Sequence, residues 1–149
     1  SILGSLILIL ATLSVERLVS SDKFETVRAE PNYEKRARRA LEFSLDNVDI
    51  VLDAYRRDDP QTGKNILNKI LQAVELAYDS LVATGKPARR KPKHFKRAEI
   101  QTRRLLKQLD SLSGNLHFDE RAELTRISQR ITKINDQLLQ AIMSNPKEK

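Results

Sequence analysis

Apolar side chains recur at steps of three and four in four stretches of this 149-residue chain, the pattern of helices with one buried face. The first stretch opens at Pro31 and runs through Ala37, Leu41, Leu45, Val48, Leu52 and Tyr55. Asp58-Asp59-Pro60 ends it and starts the next, with Asp59 as N-cap and Pro60 in the first turn, where its fixed φ is suited. The second stripe is Ile66, Ile70, Val74, Ala77 and Leu81, and it stops at Thr84-Gly85, a C′ glycine. Phe95, Ala98, Thr102, Leu105, Leu109 and Leu112 form the third, ended by Gly114. Leu124, Ile127, Ile131, Ile134, Leu138 and Ala141 form the fourth, which Asn145-Pro146 closes.

None of these helices buries its stripe alone. Their connections of roughly four to ten residues favour antiparallel neighbours. The pattern therefore predicts an all-α fold: an antiparallel up-down four-helix bundle over residues 31–145, with a tail at 146–149. Residues 22–30 read as a polar linker to a hydrophobic N-terminal helix within residues 1–21. No Gly-x-Gly series, P-loop or strand alternation interrupts this picture.

The N-terminal run Ile2–Val15, ILGSLILILATLSV, is apolar or small throughout. As a helix it would reach about 21 Å, short of a ~30 Å hydrocarbon core and close to the size of a signal-peptide core. It reads as an export signal, an uncleaved membrane anchor or a buried core helix, with export preferred. Val19-Ser20-Ser21 and Val27-Arg28-Ala29 both offer small residues at cleavage spacing. As an anchor, the run is followed by Lys23, Arg28, Lys35, Arg36, Arg38 and Arg39, a bias that would hold the bundle in the cytoplasm. Exported (periplasmic) or membrane-anchored is the expected location.

Composition sharpens the fold more than the function. Aromatic residues are only 5% of the chain, so the core must be aliphatic and a base-stacking platform is lacking. The absence of cysteine excludes a disulfide framework, thiolate metal sites and a cysteine nucleophile. Charge is the informative property. Residues 86–97, KPARRKPKHFKR, hold seven Lys or Arg and no acid, which equals the whole chain's net charge of +7. The remaining 20 bases balance the 20 acids, so the high pI of 9.8 reflects one local patch.

Candidate catalytic chemistry is sparse. Glu42, Asp46, Asp49 and Asp53 fall on one helical face, but neither His94 nor His117 is preceded by the Glu-x-x-His spacing of a di-metal bundle. Glu75 and Asp79 also lack a nitrogen ligand. The acidic stripe reads instead as a solvated face able to meet Lys96, Arg103, Arg104 or Lys107 on a neighbouring helix. Ser111, Ser113 and Ser128 have no base and orienting acid beside them in sequence. The expectation is a non-enzymatic protein with no cofactor and no metal.

The basic stretch is the candidate binding site: Lys86, Arg89, Arg90, Lys91, Lys93, Lys96 and Arg97, extended along the third helix by Arg103, Arg104 and Lys107. Pro87 and Pro92 keep it from simply continuing either helix, and cations in a helix's first turn oppose its dipole. The fitting partners are an acidic protein surface, an anionic lipid or a wall polymer. Nucleic acid fits less well, since no recognition-helix or RNP-like pattern accompanies the patch. The bland alternative is a solvated loop with no ligand.

The stretch RKPKHFKRAEIQTRRLLKQLDSL, with AVELAYDSLVATGK before it, resembles an uncharacterised family of small exported helical proteins from soil bacteria. The resemblance covers roughly residues 31–143 and is most distinctive in the Pro-Lys-His-Phe-Lys-Arg-Ala-Glu run at 92–99. It implies export and a helical fold, and carries over no functional residue. The sequence thus points to an exported or membrane-tethered interaction or accessory module working through its basic loop. The alternatives are an accessory subunit of a larger membrane complex and a basic cytoplasmic nucleic-acid-binding bundle.

Overall fold

Every regular element in the computed structural model, which describes residues 22–144, is helical. We number them α1 (22–28), α2 (Tyr33–Asp46), α3 (Val48–Arg56), α4 (Pro60–Ala83), α5 (Lys93–Leu112) and α6 (Phe118–Met143), with a 3-10 turn at Ser113–Asn115 before α6. Local polar chemistry sets the boundaries. The Asn32 side chain accepts from the Lys35 N–H at 2.9 Å to start α2, and Asp59 accepts from the Thr62 N–H at 3.2 Å to start α4. Glu120 reaches back to the His117 N–H at 2.8 Å to start α6.

The first predicted helix is divided at Asn47. Its side-chain amide donates to the Phe43 carbonyl at 2.7 Å, competing locally with the helical backbone pattern. The Val51 N–H still reaches the Asn47 carbonyl at 3.1 Å, and α3 buries Val48, Val51 and Ala54 while the predicted Leu52 and Tyr55 are partly buried. The helix ends at Arg56, and Asp58 beyond it turns the chain in the left-handed region at φ 56°, where the Asp58 and Asp59 N–H groups close on the Tyr55 and Ala54 carbonyls at 3.1 and 2.9 Å.

Residues 22–30 differ from the expected polar linker. Residues 22–28 are helical, Phe24 and Val27 are buried, and the Phe24 ring lies 5.3 Å from that of Phe43. The apolar pair is one helical step apart, too short a stripe to stand out among polar neighbours, yet enough to dock residues 22–28. Glu30 secures the joint to α2, its carboxylate 2.8 Å from Arg39 and 3.5 Å from Lys35. The predicted N-terminal helix of residues 1–21, the Asn145-Pro146 stop and the 146–149 tail lie outside the described residues. Among those described, no helix is long and apolar enough to cross a membrane.

One aliphatic core joins the helices, with Leu67, Ile70, Leu105, Leu109, Ile127 and Ile131 entirely shielded. Neighbour directions depart from the antiparallel expectation. The pair α2 and α4 is antiparallel, tied by Arg36 Nε to Ser80 Oγ at 2.8 Å and Ser44 Oγ to the Ile70 carbonyl at 3.3 Å. The pair α5 and α6 is antiparallel across its short turn, with Asn135 Nδ2 donating to the Glu99 carbonyl at 3.0 Å. But α4 and α6 run parallel: Asn68 meets Arg126 at 3.0 Å, and Glu75 meets Arg130 at 3.1 Å a helical stretch further on. The α2–α3 arm likewise runs beside α5 in the same direction, its start at the start of α5 and α3 beside the 3-10 turn. Helices α4 and α5, successive in sequence, touch less than either of these parallel pairs. Their connection, residues 84–92, therefore crosses one end of the core instead of joining adjacent edges. That crossing positions the basic segment.

Candidate functional site

The crossing connection is pinned at its start. The Thr84 hydroxyl donates to the Leu81 carbonyl at 2.6 Å and accepts from the Lys86 N–H at 3.2 Å. Gly85, at φ 67°, turns the chain and gives its N–H to the Val82 carbonyl at 3.1 Å, the expected C′ glycine. The Pro87 carbonyl then accepts from both Arg90 and Lys91 N–H groups, at 3.1 and 3.0 Å. Between them Ala88 is only 7% exposed and belongs to the core, and Phe95 is buried just after the connection. The backbone is thus closed over the end of the core while Lys86, Arg89, Arg90 and Lys91 stay exposed.

Helix α5 begins at Lys93 without an acid in its first turn and without a side-chain cap, because Pro92 is the capping residue. Its buried stripe is the predicted one: Phe95, Ala98, Thr102, Leu105, Leu109 and Leu112. On the opposite face, at 100° per residue, Lys93, Lys96, Arg97, Arg103, Arg104 and Lys107 form a second three-four series. All ten predicted site residues are exposed. The loop cations lead directly into the N-terminal end of the α5 stripe. At the centre of the stripe sits Ile100, 54% exposed.

The surface is not wholly unneutralised. Glu34, in the first turn of α2, pairs with Lys86 and lies 2.9 Å from His94 Nε2. The hydrogen bond from Lys86 holds the Glu34 carboxyl below its ordinary 4.5 against the opposing effect of burial, with nearby His94 and Lys93 adding attraction. Glu34 thereby supplies the negative charge that α5's own first turn lacks. Sequence reasoning missed it because the acid lies 52 positions before Lys86 and comes near only through the parallel pairing of α2 with α5. Arg103 pairs with Glu99 at 3.3 Å, and Arg89 is also engaged. Among the described residues no carboxylate comes within ion-pairing distance of Lys96, Arg97, Arg104 or Lys107.

The acidic stripe does not meet these cations. Glu42 pairs with Arg38 on its own helix at 3.7 Å, and Asp46, Asp49 and Asp53 are exposed. Glu75 goes to Arg130 on α6. No three His, Asp or Glu side chains converge among the described residues. A separate cleft brings Tyr55 toward Glu120 and Glu123; burial, with those two carboxylates, pushes its phenol up to about 12. Such a hydroxyl stays protonated at neutral pH and is a poor nucleophile or base. No family model matches this chain, and neither a curated protein nor a solved structure matches it.

Proposed function

We propose that the chain is a non-enzymatic helical-bundle module, exported or membrane-tethered, that engages an anionic partner through Lys86–Arg97 and the outer face of α5. In this reading α2–α3, α4, α5 and α6 make the four arms of an up-down bundle, with α1 docked beside them. One observation carries the functional reading: the connection between α4 and α5 buries Ala88 beneath itself yet presents its cations outward. A preformed backbone reduces the ordering cost of meeting a ligand. Lys93 and Lys96 in the first turn of α5 oppose its dipole, a cost of a few tenths of a kcal/mol each that an anion would reverse. The resemblance at residues 92–99 and the apolar Ile2–Val15 run support export or tethering, and the latter also suits an accessory subunit of a membrane complex.

The test is binding of the full chain to anionic probes at physiological salt: polyglutamate, duplex DNA and vesicles containing phosphatidylglycerol. Wild type should bind at least one, and replacing Arg90, Lys91 and Lys96 with Ser should weaken that binding at least tenfold while shifting stability by less than about 0.5 kcal/mol. Equal binding by the variant would remove the basic surface from the mechanism. Preference for DNA over both other probes would favour the nucleic-acid alternative.

A further inference from the structure

From the outer face of α5 we infer a site for an anionic lipid bilayer: Lys93, Lys96, Arg97, Arg103, Arg104 and Lys107 face the head groups, with Ile100 directed at the acyl boundary. The inference rests on the proposed anion-binding role and names its partner. The stripe runs from Lys93 to Lys107, about 21 Å along one helix at 1.5 Å per residue. It lies opposite the buried stripe, so the helix is held by the core and its whole cationic face is turned outward. The acids of α5, Glu99 and Asp110, fall on one margin of the stripe and leave its middle cationic.

Three features favour a bilayer over the other anions. Ile100 is exposed in the middle of the positive field, where a phosphate backbone or an acidic polymer would desolvate it without offering an apolar partner. A lipid surface offers one at the acyl boundary, and basic amphipathic helices use this combination. Against a protein partner, three of the six cations of the stripe are lysine, and it holds a single large apolar residue. Stable protein interfaces are depleted in lysine and bury an apolar or aromatic centre within about 800 Å² per side. Finally, the same chain carries the apolar run Ile2–Val15, which reads as an export signal or anchor, and a face that needs only diffuse negative charge suits the anchored reading.

The experiment is partitioning of the full chain, at physiological salt, onto phosphatidylcholine vesicles with and without phosphatidylglycerol. Any contribution of the apolar run is common to both, so the readout is the ratio between them. Wild type should prefer the anionic vesicles. Replacing Lys96, Arg97, Arg104 and Lys107 with Ser should cut that preference by about 600-fold, since each of the four cations near an anionic surface is worth about fivefold. Circular dichroism and urea unfolding establish that the variant is folded. Ile100→Ser, which retains every charge, should lower the anionic-vesicle affinity about threefold and leave polyglutamate binding unchanged. Equal partitioning of wild type onto both vesicles, or an undiminished ratio in the quadruple variant, overturns the inference. If polyglutamate or DNA still binds through the same cations, the proposed function survives that result; if no anionic probe binds, both fall.

Discussion

At the residue scale, Glu34 links the basic segment to the rest of the protein. Its carboxyl is held below its ordinary 4.5, so its contribution to stability is present above that value and disappears as pH falls through the lowered folded-state pKa. Glu34→Gln should cost about 0.5–1 kcal/mol near neutral pH, and urea unfolding should show the two proteins converging as pH falls below 4.5 and through the lowered folded-state pKa. A constant difference across that range would mean that the pairing with Lys86 and His94 contributes nothing through charge. Gly63 is a second informative position. A Cβ there would lie 2.7 Å from Cζ of the Tyr55 ring, inside any tolerable contact. Alanine normally gains up to ~1 kcal/mol over glycine within a helix, but this overlap costs about 1–3 kcal/mol. Gly63→Ala should therefore destabilise the wild type by about 1 kcal/mol and stabilise a Tyr55→Ala background. A double-mutant cycle in urea checks the change of sign. Nothing in the sequence pairs these residues; the α3–α4 turn brings them together.

Among the elements, what could be read from sequence was what is local. The second and third predicted stripes are buried throughout, the first and fourth except for partly buried Leu45, Leu52, Tyr55 and Ala141. The Asp59–Pro60 start and Gly85 stop occur at the expected residues, because caps and periodicity involve neighbours within a turn or two. The break at Asn47 was hidden, since the apolar stripe continues across it. The docking of α1 was hidden too: Phe24 and Val27 make sense only once Phe43 faces them. Phe24→Ala should thus cost about 3 kcal/mol in equilibrium unfolding, in the range for a buried aromatic. A flexible linker would show almost no change.

For the whole molecule, the arrangement of the arms decides what the basic segment is. Had α4 and α5, which run antiparallel, also packed side by side, residues 84–92 would be an edge loop. Because α4 lies parallel to α6, and α2 to α5, the segment closes one end of the core and continues into the outer face of α5. The cations themselves were legible from composition; their union with Arg103, Arg104 and Lys107 followed from helical spacing, but their partial neutralisation by Glu34 required the tertiary pairing. The central claim is that this one surface meets the anionic partner, and lysine reactivity reads it directly. Acetylation of the full chain, followed by mass spectrometry with and without phosphatidylglycerol vesicles, polyglutamate and duplex DNA in turn, reports each lysine separately. The account predicts that a bound probe slows modification of Lys91, Lys93, Lys96 and Lys107, while Lys64 on α4 and Lys133 on α6 react as before. Equal protection of Lys64 and Lys133, or unchanged reactivity from Lys91 to Lys107 with a probe bound, would contradict it.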